Sequence, residues 1–247
     1  QAPDGRIWVG TELDGLYEYD PVGGQLCKSR LQGIPDDITS LLLDGDLLWI
    51  TSRQGLLNVN TRSGRVKRYP GHDVDIYKLF RDSRDTILVG TTLGVLKYDS
   101  DKDAFDRISS FDGLFVDDIA EDAYGNIWLA TFADGLIKSS PSFEVIYSWR
   151  QDSADSCAIP GNKVMCVLPD TRGYIWAAPH GCGLCRIGPD CGTVVMDHRD
   201  GLSNDIVYKI LEDYAGRLWV ATDMGITLIE PESGNIRRFN LSDGLIN

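Results

Sequence analysis

Short apolar segments separated by turn residues recur along the chain. In the last complete copy, residues 205–211, 217–222 and 226–230 are largely apolar, and 235–240 alternates between polar and apolar residues. Turns rich in Gly, Asp and Pro separate the segments, a pattern typical of an antiparallel meander of four short strands. The inner strands must be covered on both faces, whereas the alternating outer strand meets water. This gradient predicts a blade of a β-propeller.

Six copies of this unit follow one another at intervals of about 40 residues. The second strand of each copy contains an aliphatic residue, usually a Trp, another aliphatic residue and a small residue. A repeat of this period predicts a propeller or a solenoid. We expect the Trp, replaced by Leu88 in the third copy, to fill the space between adjacent blades. The Gly that opens the third strand recurs at Gly15, Gly55, Gly94, Gly135, Gly183 and Gly225.

The register predicts an all-β fold in which one propeller domain covers residues 1–247. The chain begins before a second strand and stops where a further first strand would start, so the first blade is expected to lack its innermost strand. On this interpretation the chain is a slice of a longer array, and the open strand edge would invite pairing. The six four-stranded blades are predicted at about 5–33, 34–70, 71–110, 111–149, 150–200 and 201–241.

Composition and charge exclude several classes of partner. The 247 residues are 43% hydrophobic, enough for a large core, but contain no run of about 18 apolar residues that would insert into a membrane. The net charge is -13, and no basic cluster is longer than Arg237-Arg238. Nucleic-acid binding depends on basic surfaces. We therefore expect neither a nucleic-acid partner nor direct membrane insertion by this segment.

The cysteines contain a motif that could indicate metal or redox chemistry. Five of the six lie within 157–191, and Cys182 and Cys185 have the CxxC spacing of a redox pair or half a zinc site. However, Gly183 aligns with the Gly that opens each third strand, which places Cys182 in a turn and Cys185 inside the strand. We expect buried thiols or one incidental disulfide, and no metal.

The histidines and the repeated aspartates do not suggest a catalytic set. His72 falls between blades, His180 follows a second strand, and His198 lies near the cysteines. We expect His180 to be a surface residue, and we predict no catalytic residue and no cofactor. The recurring aspartates are expected to cap turns rather than bind calcium; they are Asp4, Asp44, Asp82, Asp122, Asp170 and Asp213.

The fullest copies resemble the two-component regulator propeller repeat. That repeat runs from Gly-Leu through an apolar strand ending in Glu-Asp, a Gly-containing turn and a Trp strand ending in Gly-Thr. Residues 201–222 match it almost throughout, and 113–131 match it again. The resemblance extends over essentially the whole chain. Departures from the pattern include Leu88 for Trp, and Ser52 and Pro179 for the terminal Thr.

The resemblance implies the periplasmic sensor region of a hybrid two-component histidine kinase, an inner-membrane protein. Such regions typically detect oligosaccharides from polysaccharide breakdown and form homodimers. The implied partners are an oligosaccharide, the remaining blades and a C-terminal β-sandwich of the same chain, and a second copy. The segment itself is then not an enzyme. Two alternatives stay open, namely a structural and dimerisation scaffold without a ligand, and a propeller lyase or hydrolase similar to the streptogramin lyases.

Aromatic residues outside the repeat pattern are the best candidates for a ligand site. Phe111, Phe115, Phe132 and Trp149 do not align with the repeated Trp positions. Sugars stack on exposed aromatic faces, and their hydroxyls pair with polar side chains at the end of the blades where second-to-third turns and inter-blade loops gather. The predicted ligand-binding residues are Arg53, Phe115, Phe132, His180 and Asn204.

Overall fold

The computed structural model describes residues 5–53, 55–69, 74–152 and 157–245. These residues form six antiparallel sheets and two single-turn 3-10 helices, Ser109–Phe111 and Leu241–Asp243. The six-bladed all-β propeller predicted from the sequence is confirmed. No helix in the described ranges has the length and apolar character needed to cross a membrane.

The first compact unit, Gln1–Gly113, contains three sheets. Its first sheet has three described strands and the next two have four each, in agreement with the predicted lack of an innermost strand in the first blade. The strands are β1 (Ile7–Gly10), β2 (Leu16–Asp20), β3 (Gln25–Lys28), β4 (Ile38–Asp44), β5 (Leu47–Ser52), β6 (Gly55–Asn60), β7 (Val66–Tyr69), β8 (Ile76–Arg81), β9 (Ile87–Thr91), β10 (Gly94–Asp99) and β11 (Ala104–Arg107).

The second compact unit, Leu114–Asn247, contains three four-stranded sheets. Each is a meander in which consecutive strands pair, because the turns between them are short. The strands are β12 (Val116–Glu121), β13 (Ile127–Thr131), β14 (Leu136–Ser139), β15 (Val145–Trp149), β16 (Val164–Pro169), β17 (Ile175–Pro179), β18 (Leu184–Ile187), β19 (Thr193–Met196), β20 (Val207–Glu212), β21 (Leu218–Thr222), β22 (Gly225–Glu230) and β23 (Asn235–Phe239).

The Trp of the second strand fills the space between neighbouring blades, as the sequence predicts. In the second unit, Trp128 of β13 shares a buried cluster with Ile175 and Ile187 of the next blade. In the first unit, the ring of Trp49 lies 4.9 Å from that of Tyr98 in the following blade. The small residue of the second strand permits this close approach.

Aspartates cap the first-to-second turns of four blades. In the fourth blade, Oδ1 of Asp122 accepts the N–H groups of Tyr124 and Asn126, and Oδ2 accepts the indole N–H of Trp128 at 3.0 Å. Asp170 and Asp213 bind their turns and the repeated Trp in the same way. In the third blade, which has Leu88 instead of Trp, the guanidinium of Arg84 donates to Oδ2 of Asp82. The prediction of turn capping is correct at these positions.

The prediction is wrong for Asp44, and Asp4 lies outside the described residues. Asp44 pairs directly with Leu47 in the ladder between β4 and β5, so only Gly45 and Asp46 form the turn. This turn is one residue shorter than the capped turns, and the carboxylate of Asp44 instead forms an ion pair with Arg81 at 3.2 Å. The indole N–H of Trp49 is left without an acceptor among the described residues.

Candidate functional site

A hydroxyl and a glycine hold the second-to-third turn of the fourth blade. Thr131 Oγ1 donates to the carbonyl of Gly135 at 2.7 Å and accepts the N–H of Asp134 at 2.9 Å. Gly135 has a φ of 78°, and a Cβ there would lie 2.0 Å from the carbonyl oxygen of Trp149. Only glycine therefore fits at this position. The turn is rigid, and it presents Phe132, whose exposed fraction is 43%.

Phe132 belongs to a small aromatic surface that we call the Phe132 platform, formed by Phe115, Phe132 and Lys163. The two phenyl rings stack at a centroid distance of 4.9 Å and an interplanar angle of 16°. The N–H of Phe132 donates to the carbonyl of Phe115 at 2.9 Å, which fixes the two backbones beside each other. Lys163 Nζ lies 4.7 Å from the centroid of the Phe132 ring. The platform thus joins a partly exposed aromatic surface to a cation.

A β-bulge adds Asp117 to this region. Val116 pairs with Thr131 and Asp118 pairs with Ala130, so Asp117 is the extra residue of β12. Burial raises the pKa of Asp117 to about 6, against the opposing effect of Lys163, and Asp118 adds to the rise. One carboxyl oxygen of Asp117 is buried without a hydrogen-bond partner in the described part of the chain. Asp117 thus places an acidic group close to Lys163 of the platform.

Backbone contacts attach the next blade to the platform. The N–H of His180, in the second-to-third turn of the fifth blade, donates to the carbonyl of Lys163 at 2.7 Å. Arg150 donates to Asp134 Oδ1 at 2.8 Å. The inter-blade segment that carries Lys163 is therefore held against two turns. The backbone contact of Lys163 is the same one that joins Phe132 to Phe115 and Asp223 to Ile206 in the neighbouring blades.

An ion pair with a buried carboxylate connects the innermost strands of three blades. Asp118 Oδ2 accepts from Lys209 Nζ at 2.7 Å and from the N–H of Val167 at 3.3 Å. Asp118 and Lys209 belong to the fourth and sixth blades, and Val167 lies on the fifth blade. The side chain of Asp118 is only 4% exposed. Removing Lys209, which is 41% exposed, would leave the buried carboxylate of Asp118 without its charged partner.

The structure brings some of the predicted ligand residues together and separates others. Phe115 and Phe132 are in contact, and the exposed His180 is linked to their neighbour Lys163. Asn204 Oδ1 accepts the N–H of Ile206 at 2.7 Å, which is a turn-forming contact before β20. Arg53 lies in the corresponding turn of the second blade, in the other unit, and its N–H donates to Asp37 at 3.0 Å.

Two residues of this region, Asp117 and Lys163, were missed by the sequence reasoning. Nothing in the apolar pattern marks the bulge at Asp117, and Lys163 stands in a loop that does not repeat. The other two aromatic candidates are buried: Phe111 is fully enclosed, and Trp149 packs in the core of the second unit. A role of the five predicted residues in ligand binding stays a prediction.

Two of the cysteines, Cys157 and Cys191, lie close enough for a side-chain hydrogen bond. All six are free thiols, with Cys166 and Cys185 buried. Burial raises the pKa of Cys185 to about 12, so its thiol stays protonated. Cys182 lies in the turn before β18, as predicted, and Cys185 lies within this strand.

One group in the described ranges has the geometry of metal ligands. Candidate ligand atoms of Asp197, His198 and Asp205 lie within 4.8 Å of one another. His198 Nδ1 is 2.6 Å from Asp205 Oδ2, and the carboxylate of Asp197 accepts from the guanidinium of Arg199. The sequence reasoning did not assemble this group. The His198–Asp205 contact and the Arg199–Asp197 hydrogen bonds also explain this group as a structural feature of the loop before the sixth blade.

The family model described as "Two component regulator propeller" matches residues 110–133 and 201–224. Among curated proteins, "Histidine kinase P4" of Formosa agariphila is 25% identical over 268 residues, which cover 99% of this chain and 20% of the kinase. The chain therefore spans about a fifth of that relative's length.

Solved structures share the fold at low sequence identity. The extracellular domain of a protein assigned as a hybrid two-component system of B. thetaiotaomicron aligns with a TM-score of 0.58 and 18% identity, over 95% of this chain and 40% of that chain. A catalytically inactive virginiamycin B lyase of Staphylococcus aureus with quinupristin aligns with a TM-score of 0.78 and 12% identity, over 98% and 83%. The structures show the propeller fold, and the family model matches two of the repeats, the same two in which the sequence pattern is fullest.

Proposed function

We propose that this chain is part of the periplasmic sensor region of a hybrid two-component histidine kinase and that its Phe132 platform binds an oligosaccharide from polysaccharide breakdown. The similarity to a histidine kinase and to extracellular domains of two-component systems supports the first part. The observation that carries the second part is the stacked, partly exposed pair of Phe115 and Phe132 beside Lys163.

The platform offers the contacts that a sugar ring requires. The C–H face of a pyranose packs on an exposed aromatic ring, as Phe132 provides. Lys163 supplies hydrogen-bond donors for hydroxyl oxygens beside the Phe132 ring. Ligand pockets combine apolar surface with a few such polar groups.

In this proposal the segment binds its ligand and performs no chemistry of its own. The fourth and fifth blades both contribute to the platform, and the Asp118–Lys209 pair connects the fourth blade to the sixth. A ligand held between two blades is in a position to change how firmly they pack. The kinase, the β-sandwich and the homodimer contacts belong to the longer protein that the proposal implies.

Thermal unfolding against a panel of plant and host-glycan oligosaccharides tests this function. A ligand at 100 times its dissociation constant stabilises the fold by about 2.7 kcal/mol. We expect at least one oligosaccharide to shift the transition, and Phe132→Ala to abolish the shift. Tyr214→Ala is the matched control, because Tyr214 is a fully exposed aromatic residue in a first-to-second turn.

Three results would contradict the proposal. A folded protein that responds to no oligosaccharide and dimerises with concentration would favour the scaffold. A shift that survives Phe132→Ala would place recognition elsewhere in the chain. Metal-dependent turnover of a streptogramin antibiotic that His198→Ala abolishes would favour the lyase.

A further inference from the structure

Two partly exposed cysteines meet in the fifth blade. Cys157 lies in the segment that leads from the fourth blade to β16, and Cys191 lies in the turn between β18 and β19. Their side chains are within hydrogen-bond distance of each other and pack against the same buried cluster of the second unit. Thr193 Oγ1 donates to the carbonyl of Cys157 at 3.3 Å, so the two backbones are held beside each other as well. Two free thiols far apart in the sequence are thus brought into contact.

The backbone at Cys191 has a conformation that favours glycine. Its φ is 65°, in the left-handed region. Cys191 is the last residue of the third-to-fourth turn, and the same position holds a glycine in three other blades, namely Gly24, Gly64 and Gly234, with φ of 64°, 72° and 72°. The N–H of Cys191 donates to the carbonyl of Gly188 at 3.0 Å, and this bond helps to close the turn. A side chain at this position is therefore held at a conformational cost and in a defined place.

The third blade shows what a side chain at this turn position does. Asp103 is the last residue of that third-to-fourth turn and also has a positive φ, 49°. Its Oδ1 accepts from the hydroxyl of Tyr69 at 2.9 Å, and its carboxylate pairs with Lys67, both on β7 of the second blade. Asp103 thus connects its turn to the preceding blade. In the fifth blade, Cys191 makes the corresponding contact with the segment that arrives from the preceding blade.

The segment 157–163, which begins at this contact, ends at the Phe132 platform. The carbonyl of Asn162 accepts the N–H of Gly135 at 2.9 Å, in the rigid turn of the fourth blade. The next residue, Lys163, is the cation of the platform. A covalent bond at the first residue of the segment would therefore fasten a short stretch of chain whose other end is already held.

We propose that Cys157 and Cys191 form a disulfide that ties the segment 157–163 to the third-to-fourth turn of the fifth blade. The bond closes between two side chains that already touch, so it requires little rearrangement of the folded chain. The pairing goes beyond the proposed function and does not rest on oligosaccharide binding. The periplasm, where we place the sensor region, is an oxidising compartment in which disulfides persist.

The oxidant is a small-molecule disulfide, for example glutathione disulfide. One cysteine thiolate attacks it, which breaks its S–S bond, releases one glutathione and leaves a mixed disulfide on the protein. The second cysteine thiolate attacks the mixed disulfide at the protein sulfur and releases the second glutathione. The protein loses two protons and two electrons, and both electrons leave with the two glutathione molecules.

Peptide mapping of the oxidised chain under non-reducing conditions tests the pairing. Because burial raises the pKa of Cys191, the whole chain is treated with glutathione disulfide at mildly alkaline pH, where more thiolate is present. We expect one linked pair of peptides, which contains Cys157 and Cys191. A link between Cys182 and Cys185, which have the CxxC spacing, or the absence of any linked peptides would overturn the proposal.

The midpoint of thermal unfolding shows whether the bond belongs to the native fold. Oxidation should raise the midpoint of the wild type by about 5–10 °C, because the bond restricts the unfolded chain, and reduction should reverse the rise. Cys157→Ser and Cys191→Ser keep the size of the side chain, and each should abolish the rise. Cys27→Ser is the matched control, since it removes an exposed thiol of the first unit and should leave the rise unchanged. A folded Cys157→Ser variant that gains as much stability on oxidation as the wild type would refute the pair.

Amide hydrogen exchange tests whether the bond fastens the segment. In peptides that cover 157–163, exchange should be at least about 10-fold slower in the oxidised chain than in the reduced chain. Equal exchange in the two states would overturn the proposed tie. Phe132→Ala should show the same slowing as the wild type, so failure of the disulfide and failure of the platform can be told apart.

Discussion

The fourth, fifth and sixth blades have the same side chains at one end of their sheets and different ones at the other. At the first-to-second turns, Asp122, Asp170 and Asp213 each hold two backbone N–H groups and one indole. At the second-to-third turns, the chain presents Phe132 in one blade and His180 in the next. The hydrogen bond from the terminal Thr to the Gly carbonyl recurs at this end too, in the fourth and sixth blades.

The difference follows from what each end must satisfy. A capped turn solves the same problem in every blade, which is the burial of backbone donors and of a large ring. The second-to-third turns of the fourth and sixth blades are held by their Thr and Gly, so the residues between them are free to vary. Repetition therefore marks the positions that stabilise the blades, and variation marks the positions where a ligand would be recognised.

The strongest way to break the comparison is to remove a repeated ring. Trp176→Ala should lower the free energy of unfolding by about 3–5 kcal/mol, because the ring is buried against the sixth blade. Phe132→Ala, at the variable end, should cost less, about 1–2 kcal/mol, because the ring is 43% exposed and loses mainly its stack with Phe115. Urea denaturation of both variants measures the difference. Equal losses would show that the two ends of the blades do not divide stability and recognition in this way.

The third blade allows a sharper test of the cap itself. Arg84→Ala removes the side-chain donors to the buried Oδ2 of Asp82 and should cost about 1–3 kcal/mol. Arg217→Ala is the matched change, since the two arginines are 45% and 42% exposed and each binds a capping aspartate. Asp213 keeps the indole of Trp219, so this second loss should be clearly smaller. Comparable losses in equilibrium unfolding would mean that the indole does not share in the cap.

Asp117 should make stability fall as the pH rises. Its pKa of about 6 in the folded state lies above the ordinary value of about 3.9, so the folded protein binds this proton more tightly. The contribution is fully present below about pH 4 and is lost as the pH rises through about 6. Allowing for solvent screening, we expect about 1–2 kcal/mol.

Asp117→Asn measures this contribution, because it removes the titrating group. Between pH 4 and pH 7, the unfolding free energy of the wild type should fall by that amount relative to that of the variant. A difference independent of pH would show that Asp117 titrates normally despite its burial. Because the neighbouring Lys163 and Asp118 are present in both proteins, the comparison isolates the titration of Asp117.

The sequence was sufficient to predict the elements that repeat. The strand positions, the tryptophans between blades and the caps at Asp82, Asp122, Asp170 and Asp213 follow from local patterns present in several copies. Asp44 shows the limit of this reasoning, because a turn one residue shorter turns a cap into a strand residue. Asn204 shows another, since a polar residue in an inter-blade loop served its own turn.

The candidate site was only half visible in the sequence. Phe115 and Phe132 stood out because they break the repeat, and the structure stacks them. Asp117 and Lys163 did not stand out, because a bulge depends on how two strands pair and a loop lysine has no repeat to differ from.

The sequence by itself determined the blade architecture, because each blade is built from neighbouring strands, short turns and residues that repeat about every 40 positions. Tertiary structure decided which side chains meet and which polar atoms lack partners. Those properties arise between blades, from residues far apart in the chain. The Asp118–Lys209 pair, 91 residues apart, and the platform between the fourth and fifth blades both form this way. Local periodicity carries no information about such contacts, so the chemistry of the sites appeared only when the blades were packed.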